Sequence, residues 1–136
     1  SYSKESEYYK RYCDRCVFHG HIPHSNMLEE LEKNDIVIFP SLADGFGFSV
    51  TEALLRKNIA ICSKNAGVSE LIVDGENGFT YSIGEEDKVI SFLCGITRQE
   101  LSILQEKAPE SLRKYTWDEY NEQVNFAVNR VVNIQN

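Results

Sequence analysis

One short apolar run limits the folds that this sequence can adopt. Residues 35–39 read Asp-Ile-Val-Ile-Phe, and Pro40 ends the run. A β-branched and aromatic segment without alternating polar residues is typical of a parallel strand that is covered on both faces. A second run of this kind, residues 59–62, follows after a segment with helical character. Strands that alternate with helices predict an open parallel sheet with helices on both faces.

The other elements continue this alternation. We predict helices over residues 4–12, 26–33, 49–57, 69–73 and 85–93, two C-terminal helices from Thr97 and Thr116, and short strands over 16–18 and 79–82. Three pairs have the spacing of a capping box, which supports a helix start at each: Asn26 with Glu29, Thr97 with Glu100, and Thr116 with Glu119. We expect one domain over residues 1–136, with the C-terminal helices over 97–132.

The charge balance excludes several classes of partner. The chain has 14 Lys and Arg against 21 Asp and Glu, which gives a net charge of −7. A nucleic-acid binder would carry a basic surface, so we expect no nucleic-acid partner. No apolar run approaches the ~20 residues of a membrane span. Four cysteines are too few for a disulfide scaffold, and this favours a reducing, cytoplasmic location.

The loop after the first apolar run carries the candidate chemistry. In parallel sheets ligands bind beyond the carboxyl ends of the strands, and residues 41–48 run from such an end directly into a helix that starts near Ser49. Gly45 and Gly47 allow the backbone to approach a ligand closely or to adopt a positive φ. Backbone amides at a helix start, with the positive end of the helix dipole, form a site for a phosphate.

Two carboxylates flank this glycine turn. Asp44 precedes it, and Glu52 lies eight positions later in the first turn of the helix. Carboxylates bind the vicinal hydroxyls of ribose or hexose through charge-assisted hydrogen bonds. Purely local roles are equally open: Ser49 and Glu52 have the spacing of a capping box, and Asp44-Gly45 is a common turn dipeptide.

Several motifs occur in the order of a known family. They are Val17-Phe18-His19-Gly20, residues 35–41, residues 44–54 with an E-x7-E-like pattern, residues 66–72, Asp74-Gly75 with Gly78, and Tyr115-Thr116-Trp117. In these motifs the sequence resembles the C-terminal, donor-binding domain of retaining GT-B glycosyltransferases of the group 1, or family 4, type. The resemblance implies an α/β fold, a Rossmann-like doubly wound parallel sheet that forms the C-terminal half of a GT-B fold.

The same resemblance implies roles for individual residues. Glu52 would bind the ribose of a nucleotide sugar, and Asp44 would lie by the transferred sugar as the catalytic candidate, one methylene shorter than the usual Glu. Gly20 and Ile22 would lie against the nucleobase, and Glu70 would order loops behind the site. The nucleotide-sugar-binding residues implied are Gly20, Ile22, Gly45, Phe46, Gly47, Phe48, Ser49 and Glu52.

The implied reaction transfers a hexose from a UDP- or GDP-sugar to an acceptor hydroxyl with retention, in polysaccharide or glycoconjugate biosynthesis, without a metal or other cofactor. The chain opens on a charged, Tyr-rich segment instead of a strand. We therefore expect the first strand and helix of the domain, with the cations that bind the diphosphate, to precede Ser1. The acceptor-binding N-terminal domain would also be missing, so we expect no turnover from this chain alone, and any membrane association only through that domain.

Alternatives remain beside this interpretation. One is a non-catalytic module of the same fold that binds a nucleotide sugar or a protein, and a weaker one is a GT-B epimerase. A zinc site is a competing possibility for the ligand-type residues Cys13, Cys16, His19, His21 and His24.

Cys62 and Cys94 lie in apolar runs and are expected in the core. Trp117 and Tyr120 are expected to pack the last helix rather than to bind a sugar.

Overall fold

The computed structural model describes residues 6–134 of the chain. At its centre is a three-stranded parallel sheet of order β1-β2-β3, formed by Ile36–Phe39, Ile59–Ser63 and Gly78–Tyr81. The helices are α1 (Glu7–Tyr12), α2 (His24–Glu32), α3 (Phe48–Leu55), α4 (Glu86–Gly95), α5 (Arg98–Lys107) and α6 (Trp117–Ile134). Two 3₁₀ turns, Gly67–Leu71 and Glu110–Leu112, follow β2 and α5.

Strand β2 is the centre of the core, and its alternating side chains divide between the two faces of the sheet. Ala60 and Cys62 pack on one face with Val50 and Leu54 of α3. Ile59 packs on the other face against α5, in a cluster with Leu101 and Leu104. Ile61 joins a third cluster with Tyr81 and Val89. Helices therefore cover both faces of the sheet, which confirms the predicted α/β class.

Strand β1 is less covered than its apolar sequence predicts. Ile38 is 48% exposed, and β1 pairs only with β2 in the described part of the chain. The prediction that this strand is covered on both faces is therefore wrong for Ile38.

The predicted strand at 16–18 is also wrong. Those residues have no regular secondary structure, and Val17 is 82% exposed. Phe18 packs its ring against that of Tyr9 in α1, with 5.0 Å between the centroids. Strand-like composition is a weak guide to a strand because it depends on packing context, and the sheet within residues 6–134 consists of β1, β2 and β3.

The helix starts confirm some capping predictions and correct one. Thr97 and Glu100 form a complete capping box at α5, and the Thr116 hydroxyl accepts a hydrogen bond from the Glu119 amide at 3.2 Å before α6. The box predicted at Asn26 is wrong, because α2 begins two residues earlier at His24 with Pro23 as its N-cap. Pro23 fixes φ without needing a backbone donor, which suits a helix start.

Helix α5 is attached to the start of the sheet by a carboxylate. Asp35 accepts hydrogen bonds from Arg98 Nη1 at 2.7 Å and from Gln105 Nε2 at 3.1 Å. The Arg98 bond first, and then the Gln105 bond, lower the pKa of Asp35 below its ordinary value. A lowered pKa stabilises the fold above the ordinary pKa of an aspartate, and that contribution is lost as the pH falls through the lowered value.

The exit from α3 has an unusual residue in a left-handed conformation. Lys57 has a φ of 63°, and the Asn58 amide donates back to the Ala53 carbonyl at 3.0 Å. Helices commonly end in this way with a glycine. Asn58 is buried and its side chain donates to the carbonyls of Leu31 and Asn34, which joins the exit of α3 to the end of α2.

Asn77 is a buried polar residue at the end of a turn. It is fully buried, and Gly78 directly after it begins strand β3. The Asn77 amide accepts from the Val73 amide and donates to the Leu71 carbonyl and the Ser111 hydroxyl, at 2.8–2.9 Å. One side chain thus connects the 3₁₀ turn after β2 to the segment after α5.

The four cysteines lie in two different environments. Cys62 is buried in β2, as predicted, whereas Cys94 is exposed on α4 and its predicted core position is wrong. Cys13 and Cys16 are exposed as well, and all four thiols are free. Burial, with a smaller effect of the nearby Asp74, raises the pKa of the Cys62 thiol to about 11.

These environments predict how the native protein reacts with a thiol reagent. At pH 8, dithiobis(nitrobenzoate) should modify the three exposed cysteines within minutes and leave Cys62 unmodified, because only an accessible thiolate reacts. In guanidinium chloride all four should react. The absorbance of the released thiol counts the modified sites, and a Cys62→Ala variant should give the same native count. Rapid native modification of all four would contradict the buried position of Cys62.

No helix within residues 6–134 is long and apolar enough to cross a membrane.

Candidate functional site

The loop from β1 to α3 lies at the carboxyl end of the sheet, where the sequence places the candidate chemistry. Gly47 is the N-cap of α3 and has a φ of 87°, in the left-handed region. A Cβ at Gly47 would lie 3.1 Å from side-chain atoms of Phe39 and Val68. The predicted positive φ is thus confirmed at Gly47, whereas Gly45 has no positive φ.

The segment after β2 holds this loop in place through the backbone. Asp44 and Ala66 form an isolated parallel β-bridge. The Gly67 amide donates to the Asp44 carbonyl at 3.2 Å, and the Val68 amide donates to the Phe46 carbonyl at 2.7 Å. A Cβ at Gly67 would lie under 3.0 Å from the Gly45 carbonyl oxygen, so only glycine permits this approach.

Two side chains add to this attachment at the start of the loop. The Ser63 hydroxyl donates to the Ser41 carbonyl, and Asn65 Nδ2 donates to the Leu42 carbonyl at 3.0 Å. Hydrogen bonds therefore hold the loop along its length against the segment that follows β2. The sequence pattern indicates the loop but not the residues that form these hydrogen bonds.

The start of α3 presents backbone amides without a protein acceptor. Within residues 6–134 no hydrogen-bond acceptor contacts the N–H groups of Gly47, Phe48 or Ser49, and α3 has no side-chain cap. The first amides of a helix have no partner inside the helix and carry the positive end of its dipole. This arrangement can bind an anionic group such as a phosphate.

Glu52 is not a helix cap. The Ser49–Glu52 capping box left open by the sequence is wrong, because Gly47 is the N-cap and Ser49 is already inside α3. The Glu52 carboxylate instead lies at the surface beside α2, with Oε1 2.6 Å from Nε2 of His24. The local sequence pattern suggests His24 only as a metal ligand and does not indicate its contact with a residue 28 positions away.

Asp44 is turned toward its own loop. Its Oδ1 accepts a hydrogen bond from the Phe46 amide at 2.9 Å, and the residue is exposed. The turn role of Asp44-Gly45, one of the two open possibilities, is therefore present. Oδ2 makes no hydrogen bond within residues 6–134 and can still accept one from a ligand.

Gly20 and Ile22 lie in the segment that leads into α2. Gly20 has a φ of 65° and is exposed, while Ile22 is partly buried. No hydrogen bond or ion pair within the described residues joins either of them to the loop before α3. Their link to it is indirect, through His24, which follows Ile22 by two positions and contacts Glu52.

Two other predicted roles find no support in side-chain contacts. Glu70 is exposed and makes no hydrogen bond or ion pair within residues 6–134, so the loop is ordered by the backbone of Gly67 and Val68 instead. In the same part of the chain no group of three His, Cys, Asp or Glu side chains is arranged to hold a metal ion.

An aromatic groove borders the loop. It has a volume of about 620 Å³. Trp117 is 79% exposed and Tyr120 is 57% exposed, so the prediction that they pack the last helix onto the core is wrong for the described residues. The residues that line the groove are Phe46, Phe48, Lys114, Tyr115, Thr116, Trp117, Glu119, Tyr120 and Gln123.

Comparison with proteins of known sequence places this site in a family. The model of the family described as "Glycosyl transferases group 1" matches residues 3–93. EpsD of Bacillus subtilis (strain 168), whose assignment as a glycosyltransferase is provisional, is 36% identical over 61 residues. That match covers 45% of this chain and 16% of EpsD.

Solved structures share the fold. The C-terminal domain of a glycosyl transferase group 1 family protein (LpcC) from Francisella tularensis superposes with a TM-score of 0.57 at 26% identity, covering 72% of this chain and 52% of that one. HepE (Alr3699) from Anabaena, solved in complex with UDP-glucose, gives a TM-score of 0.59 at 23% identity. The match covers 77% of this chain and 30% of HepE.

The chain thus spans between 16% and about half of the length of these relatives. Its fold is that of GT-B glycosyltransferase C-terminal domains, with a parallel sheet whose carboxyl-end loop is followed directly by a helix. The family model covers most of the chain, including β1, β2, β3 and the whole of the candidate site. The chain belongs to the glycosyl transferases group 1 family.

Proposed function

We propose that this chain is the donor-binding part of a glycosyltransferase that uses a nucleotide sugar. One observation carries the proposal: a helix start with unpartnered amides follows the loop at the carboxyl end of the sheet, and the same short helix carries the Glu52 carboxylate. Amides suit the diphosphate, and a carboxylate suits the hydroxyls of ribose. Family membership supports this reading, as does the UDP-glucose bound by HepE, which has the same fold.

In this proposal each residue of the site has one task. Glu52 accepts hydrogen bonds from the ribose, and the amides of Gly47, Phe48 and Ser49 bind the diphosphate. The backbone of Gly45 and Phe46 lies along the sugar, and Gly20 and Ile22 lie by the base. Gly20 and Ile22 belong to the proposed site because they lead into α2, which contacts Glu52 through His24.

The proposed reaction is transfer of a hexose from a UDP- or GDP-sugar to an acceptor hydroxyl with retention. The bond from the anomeric carbon to the diphosphate oxygen breaks, a new bond from that carbon to the acceptor oxygen forms, and the departing diphosphate takes up the acceptor proton. The negative charge that develops on the diphosphate is stabilised by the helix amides, without a metal. Asp44 offers Oδ2 toward the transferred sugar while Oδ1 holds the loop.

Partners and location are parts of the same proposal. The acceptor is bound by a second domain outside this chain, so the chain alone gives no turnover, and contact with a membrane is made by that domain. The product belongs to polysaccharide or glycoconjugate biosynthesis. Four free cysteines support a cytoplasmic location.

A second candidate function is a non-catalytic module that binds a nucleotide sugar or a protein. The bond between Asp44 Oδ1 and the Phe46 amide favours it, because a carboxylate engaged by its own loop is less available for chemistry. The two candidate functions predict different results in one assay, the formation of glycoside product by the full-length protein. A full-length protein that forms glycoside product supports the transferase, whereas one that binds the donor but forms no product with any acceptor hydroxyl supports the module.

Calorimetric titration with UDP-glucose and GDP-mannose tests donor binding. The wild-type chain should bind one of them, and Glu52→Ala should weaken that binding about ten- to a hundredfold, because loss of charge-assisted hydrogen bonds costs roughly 1.5–3 kcal/mol. Glu70→Ala is the matched control, since it removes an exposed carboxylate that makes no contact within residues 6–134. Absence of binding to both nucleotides, or equal affinity of the Glu52→Ala protein, would contradict the proposal.

A further inference from the structure

Glu52 is held by a side chain that neither the fold nor the family match assigns to the site. His24 is the first residue of α2, and its Nε2 lies 2.6 Å from Oε1 of Glu52 in α3. The Glu52 side chain is 28% exposed and the His24 side chain is 64% exposed, so the pair is open to a ligand. The contact fixes one carboxylate oxygen and leaves the other free.

The two helices do not depend on this contact to stay together. At the opposite end of α2, Nδ2 of the buried Asn58 donates to the carbonyls of Leu31 and Asn34. Arg56 Nε also lies 3.6 Å from Oε1 of Glu32. These attachments position α2 against α3 at a point far from His24 along the helix. Removal of the imidazole therefore leaves the helix in place and frees only the Glu52 carboxylate.

The geometry determines what the free oxygen can do. A carboxylate has two oxygens with two lone pairs each. When the imidazole donates its Nε2–H to Oε1, this hydrogen bond restricts rotation of the carboxylate. Oε2 is therefore held in one orientation. A fixed acceptor can bind two neighbouring hydroxyl groups at once without first losing its rotational freedom, which is the general advantage of preorganisation.

We propose that His24 is a positioning residue that orients Glu52 toward the vicinal hydroxyls of the nucleotide ribose and so sets the preference of the site for ribonucleotides over 2′-deoxyribonucleotides. The inference rests on the proposed function. The inference goes beyond that function because it assigns a role to His24, which does not contact the donor. That role is to control which nucleoside the site accepts.

The test compares UDP with 2′-deoxy-UDP, and GDP with 2′-deoxy-GDP, by calorimetry. Wild-type chain should prefer the ribonucleotide about tenfold. His24→Ala should reduce this preference to about threefold or less, through weaker binding of the ribonucleotide and nearly unchanged binding of the deoxynucleotide. His24→Gln, whose amide can donate to the same oxygen, should restore part of the preference. In a Glu52→Ala background, His24→Ala should have no further effect.

His19→Ala is the matched control, because it removes an imidazole whose carboxylate contact is with Glu30 of α2, at 3.7 Å, and not with Glu52. It should bind both nucleotides like the wild type. The role of His24 is overturned if His24→Ala keeps the wild-type preference for the ribonucleotide, or if it loses affinity equally for the ribonucleotide and the deoxynucleotide. Either result leaves the proposed function intact. A wild-type chain that binds none of the four nucleotides overturns the proposed function and this inference together.

Discussion

Gly67→Ala is expected to lower the affinity for the nucleotide about a hundredfold, which corresponds to about 2.7 kcal/mol. The new Cβ would lie under 3.0 Å from the Gly45 carbonyl oxygen, a backbone atom that can move away only if the loop moves with it. Displacement of the loop also breaks the bonds from the Gly67 and Val68 amides to Asp44 and Phe46. The amides at the start of α3 then lose their position relative to Glu52.

Gly95→Ala makes the same chemical change at the end of α4, outside the proposed binding residues, and serves as the control. A Cβ at Gly95 meets nothing within 4 Å, and Gly95 has no positive φ. We expect its affinity to stay within about threefold of wild type, a difference below about 0.7 kcal/mol. Circular dichroism reports whether Gly67→Ala keeps its fold. A folded Gly67→Ala protein with wild-type affinity would show that the loop does not depend on this approach.

Asn77→Ala is expected to lower the free energy of unfolding by about 3 kcal/mol. Asn77 is fully buried and makes three hydrogen bonds, with the Val73 amide, the Leu71 carbonyl and the Ser111 hydroxyl. Alanine removes all three bonds, although the Ser111 hydroxyl still donates to the Ala108 carbonyl. Each lost hydrogen bond costs roughly 0.5–1.5 kcal/mol. Urea unfolding followed by circular dichroism measures the change.

Two further variants separate the polar network from the loss of volume. Asn77→Asp keeps an acceptor for the Val73 amide but removes both Nδ2–H donors, so it should be destabilised to a similar extent. Asn65→Ala removes a single bond at an exposed position and should cost less than about 1 kcal/mol. A fall of under 0.5 kcal/mol for Asn77→Ala, roughly the effect of an ordinary surface substitution, would refute the proposed network.

Much of the fold follows from the pattern of the sequence. The runs at 36–39 and 59–62 have no polar residue to place on a solvent face, and both are parallel strands. The capping box of Thr97 with Glu100 locates the start of α5, because side chain and backbone satisfy each other within one turn. Local signals succeed where the physical cause is local.

The failures have non-local causes. Residues 16–18 have strand-like composition but lie outside the sheet of β1, β2 and β3, and composition alone does not show whether a segment joins a sheet. Ile38 is apolar, yet its exposure depends on what lies beside β1. Cys94 and Trp117 show the same limit, since an apolar neighbourhood in the sequence does not indicate which side of a helix faces the core.

The candidate site also has features that the sequence predicts and features that it does not. The glycines and the helix start are visible in the sequence, because a positive φ and unpaired amides arise from neighbouring residues. The contact of Glu52 with His24 and the close approach of Gly67 to Gly45 join separate segments. Both depend on how α2 and the segment after β2 pack against α3, which no local pattern specifies.

The parallel register of the sheet also determines when the site can form. Ile36 pairs with Ile59 and Ala60 pairs with Gly78, so neither pair of strands can close as a hairpin. Each pairing has to bring together distant parts of the chain, and pairing of that kind is slow because the entropy of closing the loop is lost first. The loop that carries the site lies inside the first of these closures. During refolding, nucleotide binding should therefore recover together with the sheet and later than the helical signal.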